Sequence, residues 1–193
     1  KNKTMTFRKA FEETFCSKKN VAILNHCWEN VNFGAVLTGY ALNKVCKLLG
    51  YNAQTINYNF GNEMSENYIK NSLFDDFKRK YIDFTMPVIN YKEFEYLNNY
   101  FDNFIVGSDH VWRYQIITKD NLEYFFLNFA KPEKNIISCA ASFGIFDIDS
   151  ELNVKYTKNT TIKDLYLKYL KNFDSISIRE ENGVEYCKKH GLN

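Results

Sequence analysis

Little in this chain points to export, a disulfide scaffold or a structural metal. Its cysteines, at positions 16, 27, 46, 139 and 187, are odd in number and include no CxxC pair. Neither a disulfide framework nor a zinc knuckle is therefore indicated, and a reducing cytoplasm suits them best. No apolar run approaches the roughly 20 residues of a membrane span, and the start KNKTMTFRKAFEETF lacks the continuous apolar region of a signal peptide. Charge of one sign is scarce too: 25 Lys and Arg against 23 Asp and Glu give a formal +2, too small an excess to argue for nucleic acid as a partner. The G-x-G-x-x-G spacing of a dinucleotide site is missing, which disfavours NAD. No set of His, Cys and acids has convincing metal-ligand spacing, and there is no internal repeat or low-complexity linker.

What is present is material for one core. Of the 193 residues, 45% are hydrophobic and 17% aromatic, enough for one compact domain and too little for two comfortable ones. Four short apolar runs, VAIL (21–24), FIVG (104–107), IISCAA (136–141) and SISI (175–178), alternate with segments of helical character. Continuous rather than alternating apolar runs indicate strands covered on both faces, hence parallel strands of an α/β sheet. Strands are predicted near 21–24, 53–57, 104–107, 136–140 and 175–178. In GAVLTGYALNKVCKLLGY, Ala35, Leu37, Ala41, Leu42, Val45, Leu48 and Leu49 fall near helical spacing, with Gly50 placed for a left-handed cap. Further helices are predicted in SENYIKNSLFDDFKRKYI, NYKEFEYLNNYF, TIKDLYLKYLKNF and EENGVEYCKKHG, with Pro87 marking a break. The alternation calls for another strand after EENGVEYCKKHGLN. The chain is accordingly read as a piece of a longer protein, with residues 1–20 an extension ahead of a domain over 21–193.

In open parallel sheets ligands bind at the carboxyl ends of the strands, so the residues that follow each apolar run are candidates. After the first come NHCWENVNFGA, in which Asn32 and Gly34 lead into the long helix. A helix start of this kind favours an anion, while the plainer reading is that Asn32 caps the helix and Gly34 permits close packing. After Gly107 come Ser108, Asp109, His110 and Trp112. Ser108 or Asp109 could simply cap a turn and Trp112 pack on the sheet; alternatively the carboxylate beside His110 moves a proton and Trp112 offers a flat wall to a sugar ring. His110 is the weakest member of the group, and His26 and His190 carry less information still. Ser142 and Gly144 follow the third run. After SISI, Arg179 offers a planar fork for phosphate or carboxylate, or else pairs with Glu180 to order a loop.

In order along the chain, NFGAVLTGYALNKVCKLLGY, FIVGSDHVW, YFFLNFA, IISCAASFG and FDSISIREENGVEYCKKHG resemble the successive signature blocks of the polysaccharide pyruvyl transferase family, over residues 32–191. The resemblance implies a Rossmann-like three-layer α/β domain, the N-terminal half of a two-domain architecture of the GT-B glycosyltransferase type, with the C-terminal domain absent. It implies transfer of the pyruvyl group of phosphoenolpyruvate onto two hydroxyls of a sugar, as a ketal, on a cell-surface polysaccharide precursor. Phosphoenolpyruvate is then the donor, a sugar or lipid-linked saccharide the acceptor, and no cofactor is expected. The protein is placed in the cytoplasm, at the inner membrane surface where the acceptor is lipid-linked. Asp109 becomes the candidate base or hydroxyl-orienting group. Asn32, Gly34, Gly107, Ser108, Trp112, Ser142, Gly144, Arg179 and Glu180 become candidate substrate-binding residues, while His110 stands where such blocks commonly carry glutamine and takes no role from the family. The alternatives are a non-catalytic carbohydrate-binding or assembly domain, and a glycosyltransferase half using a nucleotide sugar.

Overall fold

The computed structural model describes residues 20–27, 32–58, 73–117 and 121–192. The predicted extension, but for Asn20, and the front part of the helix predicted from Ser65 lie outside them. Four strands, β1 (Asn20–Leu24), β2 (Asn52–Thr55), β3 (Asn103–Asp109) and β4 (Asn135–Ala141), form a sheet of order β2-β1-β3-β4. Every pairing is parallel, with Val21 opposite Ala53 and Asn103, and Phe104 opposite Ile136. The apolar runs form strands because each residue has a core to face on its own side. Val21, Ile23, Ile105 and Ile137 pack on one face with Leu42, Cys46 and Ala53; Ala22, Leu24, Phe104, Val106 and Ile136 pack on the other within an aromatic cluster. That alternation of neighbours is the period of two of a pleated strand.

The first face is covered by α1 (Phe33–Leu48). Asn32 caps it, accepting the Ala35 amide at 3.1 Å, and the chain leaves it through Gly50 at φ 89°, as predicted for a left-handed cap. Its buried side is Ala35, Val36, Gly39, Leu42, Asn43 and Cys46, whereas Leu37, Val45 and Leu48, predicted on the apolar face, are exposed. The face is rotated because Gly39 lets the helix close on the loop after β1: a Cβ there would lie 2.9 Å from Asn25 Nδ2.

Beyond α1 follow α2 (Leu73–Tyr81), α3 (Tyr91–Tyr96), α4 (Leu122–Phe125), α5 (Ile148–Glu151), α6 (Ile162–Leu170) and α7 (Glu181–Lys189). A reciprocal Thr161–Asp164 capping box starts α6. Phe94 of α3, Phe125 of α4, Tyr166 of α6 and Tyr186 of α7 belong to the aromatic cluster on the second face, so helices lie on both sides of the sheet. The result is an α/β arrangement compatible with a Rossmann-like domain.

The fifth strand, predicted at 175–178, is reduced to two isolated bridges, Ile137 with Ser175 and Ala141 with Ile178. The cause lies in β4, where Ala140 takes φ 48° and breaks the regular ladder. Serine hydroxyls fill the gap: Ser138 Oγ accepts the Ser177 amide at 2.9 Å and donates to the Ser177 carbonyl at 3.0 Å, and the Ala140 amide donates to Ser177 Oγ at 3.2 Å.

Candidate active site at the carboxyl ends of the strands

With β1 central, the chain crosses to β2 on one side and returns past β1 to β3 on the other. The carboxyl ends of β1 and β3 are thus the point where the winding reverses, the place such sheets hold ligands. Asp109 closes β3 there at φ 80°. Its carbonyl accepts the amides of Val111 at 2.7 Å and Ser142 at 3.0 Å, which fixes the backbone and leaves the carboxylate at the rim. Arg179 reaches it from the segment beside β4, with Nη1 3.5 Å from Asp109 Oδ1. The same guanidinium donates through Nη2 to Ser142 Oγ at 3.3 Å. Ser142 is the hub, since its buried hydroxyl also accepts the Gly144 amide at 3.0 Å and its carbonyl accepts the Trp112 amide.

The structure therefore joins Asp109, Ser142 and Arg179 directly. Gly144, at φ 63°, lies against the His110 and Arg113 side chains, so closely that a Cβ would come 2.9 Å from Arg113 Cδ and 3.1 Å from His110 Cγ. Glu180 turns away from Arg179 and accepts the Phe143 amide at 2.6 Å; the Arg179–Glu180 pair is not formed. Ser108 is half-buried beside Asp109. Asn32 performs the helix-capping role, and Gly34 is exposed with only its cap oxygen nearby, at 3.2 Å from a hypothetical Cβ; neither bonds to the Asp109 group.

Two predicted site residues belong to the scaffold instead. Gly107 sits at φ 130° with its α-carbon against the Cys139 carbonyl, so its part is to let β3 and β4 approach. Trp112 is 0% exposed and offers no wall to a ligand. Its ring stacks on Phe126 at 5.4 Å, and its indole N–H donates to the Phe125 carbonyl at 3.0 Å, which satisfies the one polar atom and permits full burial. Trp112→Phe is expected to cost about 1–2 kcal/mol in a urea titration, from a lost hydrogen bond and a small void. It should leave acceptor KM unchanged; a raised KM at full stability would return Trp112 to the cleft.

Two residues passed over in the sequence reading stand in the site. His26, just after β1, has its ring 4.9 Å from Phe125, and burial lowers its pKa despite a hydrogen bond to the His110 backbone and the charge of Asp109. Arg113 follows Trp112. Both carry a sealed nitrogen with no hydrogen-bond partner, Nε2 of His26 and Nε of Arg113, and so do Asn25 Nδ2 and, as a sealed oxygen, Glu180 Oε2. Of the five such atoms among the described residues, four lie at this edge and only the Tyr186 hydroxyl lies elsewhere. Buried polar groups are otherwise almost always paired, so four unpaired atoms set this edge apart from the rest of the described chain. Among the described residues no group of three or more His, Cys, Asp or Glu is arranged to hold a metal ion.

A family model for polysaccharide pyruvyl transferase matches residues 32–193. The chain belongs to the polysaccharide pyruvyl transferase family. Comparison with curated proteins gives no match, nor does comparison with solved structures. The match takes in every rim residue described above except Asn25 and His26, so the Asp109–Ser142–Arg179 group lies in the family's own sequence. Membership assigns pyruvyl transfer to a polysaccharide in general terms.

Proposed function

We propose that this site serves the transfer of the pyruvyl group from phosphoenolpyruvate to two hydroxyls of one sugar, giving a ketal on a cell-surface polysaccharide or its lipid-linked precursor. The observation that carries the reading is the contact of Asp109 with Arg179, backed by Ser142, at the winding reversal of a family member's sheet. In the reaction the methylene carbon of the enol takes a proton and becomes a methyl. The first hydroxyl adds to the neighbouring carbon, phosphate leaves, and the second hydroxyl closes the ketal. The two hydroxyl protons end on the methyl and on phosphate.

Asp109 is placed to orient a sugar hydroxyl and accept its proton, with Arg179 holding donor oxyanion beside it. The first-turn amides of α1 near Gly34 add a positive end of a helix dipole on the same edge. The scheme calls for no metal or organic cofactor. Asp109 and Arg179 keep 31% and 46% of their side-chain surface in water, and exclusion of that water requires a facing element. A second Rossmann-like half, in the GT-B manner, would supply it, with residues 21–193 as the N-terminal half. Among the described residues no helix is long and apolar enough to cross a membrane, and the reading places the protein in the cytoplasm, meeting lipid-linked acceptor at the inner membrane surface.

Residues 1–193 alone are expected to fold but not to turn over, and a protein carrying both halves to form ketal from phosphoenolpyruvate. The assay follows the new methyl resonance by NMR over a panel of soluble and lipid-linked saccharides. Turnover by residues 1–193 alone would refute the two-half arrangement; no ketal from the two-half protein on any saccharide would refute the reaction.

A further inference from the structure

We propose that Arg113 is a second oxyanion-binding residue of this site, taking a phosphate or carboxylate group that Arg179 does not hold. An arginine keeps its charge at every physiological pH, and a half-buried guanidinium without a counter-charge is costly to maintain. The other described arginines have carboxylate partners, Arg79 with Asp76 at 2.8 Å and Arg179 with Asp109 at 3.5 Å. Among the described residues Arg113 makes no ion pair with a carboxylate, and its Nε is sealed from water without an acceptor.

The side chain is also fixed in place. The Arg113 amide donates to the His110 carbonyl at 3.1 Å, and its own carbonyl accepts the amides of Ile116 and Ile117 at 3.0 and 3.2 Å, so its backbone is held in a closed turn. Its stem lies in the space that Gly144 leaves by lacking a Cβ. A side chain whose backbone is fixed and whose stem is packed loses less entropy on binding than a free surface arginine would.

Its surroundings fit an anion with a second polar contact. The His110 ring lies on the same side of Gly144, and His26, whose Nε2 is equally partnerless, bonds to the His110 backbone. The Gly144 amide donates to Ser142 Oγ at 3.0 Å, and the same hydroxyl accepts from Arg179 Nη2 at 3.3 Å. The inference rests on the proposed function in its choice of anion: phosphoenolpyruvate carries two anionic groups, and Arg179 is already shared with Asp109. Two arginines, one packed on Gly144 and one bonded to the Ser142 hydroxyl that takes the Gly144 amide, suit a donor anionic at both ends.

The test uses the 193-residue chain and nitrogen-edited NMR of arginine Nε–H groups, with the Arg113 signal assigned by its loss in Arg113→Gln. The chain is titrated with phosphoenolpyruvate, inorganic phosphate, pyruvate, and sodium chloride at matched ionic strength. Phosphoenolpyruvate should shift the Arg113 signal while chloride does not; the phosphate and pyruvate arms identify which group is held. Arg113→Gln should weaken phosphoenolpyruvate binding by about tenfold or more, and Arg113→Lys, retaining charge but not the fork, should fall between. The proposal is overturned if no anion moves the signal, if chloride moves it equally, or if a folded Arg113→Gln binds phosphoenolpyruvate as the parent does. Oxyanion binding that depends on Arg113 without ketal formation would sink the transferase reading and leave this one standing. Ketal formation with an unaltered donor KM in Arg113→Gln would do the reverse.

Discussion

Asp109→Asn, in a protein carrying both halves of the site, is expected to slow ketal formation by about 100-fold or more at saturating substrates, the range for loss of an acid/base group. The amide keeps the shape of the carboxylate and its place beside Arg179, but it no longer accepts a hydroxyl proton. Arg179→Ala should lower kcat/KM for phosphoenolpyruvate by a similar factor, chiefly through the donor, because it removes a fork that meets both Asp109 and Ser142. Neither change should unfold the domain. The Asp109–Arg179 pair is solvent-exposed in large part and 3.5 Å apart, and ion pairs of that kind contribute only about 0–1 kcal/mol. Rates are read from the methyl resonance of the ketal, and thermal melts confirm folding. Full activity in both folded variants would remove these residues from the chemistry.

Gly107→Ala should instead damage the fold, by about 3 kcal/mol or more in a urea titration, since it combines a disfavoured backbone conformation with overpacking. At φ 130° the added Cβ would overlap the Cys139 carbonyl oxygen and lie 3.0 Å from its carbon. Those are backbone atoms of β4, paired in register with Gly107 itself, so they cannot retreat without opening the ladder. Gly50→Ala is the control: it too has positive φ, 89°, but open space around it, and should cost only about 1 kcal/mol. Equal, small losses at both positions would show that β3 and β4 are not pressed together at Gly107.

β1, β3 and β4 were legible because burial on both faces demands what a reader can see, a nearly unbroken apolar run. Nothing comparable announces the break in the fifth strand. SISI has the composition of a strand, but its pairing depends on Ala140 adopting φ 48° in β4, and an alanine carries no mark of a left-handed backbone. Trp112 was misread for a related reason. Its position just beyond a strand end is local, whereas its burial depends on a carbonyl 13 residues further on and on rings from α6 and the loops. That Asp109, Ser142 and Arg179 share one edge was legible from the rule that ligands gather at strand ends, which needs only the strands to be located and parallel. His26 falls under the same rule, lying two residues beyond β1, and was discounted because a lone histidine carries little weight. Arg113 was hidden more deeply: an arginine without a counter-charge is a property of three-dimensional neighbours, and in sequence it is one more basic residue.

The two serine hydroxyls that bridge β4 to the 175–178 segment have a counterpart at the opposite end of the sheet. There β2 pairs regularly with β1 on its inner side, while on the outer side it and the residues just after it form the isolated bridges Thr55 with Phe84 and Tyr58 with Val88, and the Thr85 hydroxyl accepts the Asn57 amide at 3.1 Å. Both flanks of the sheet thus end in fragments rather than in a straight row of free amides and carbonyls. A foreign strand seeking to extend the sheet would find no regular template on either side, which is how exposed edges are kept from seeding aggregates. Among the described residues the sheet is thus flanked by helices and loops rather than by bare strand edges, and it meets solvent at the carboxyl rim, where Asp109 and Arg179 keep part of their side chains in water.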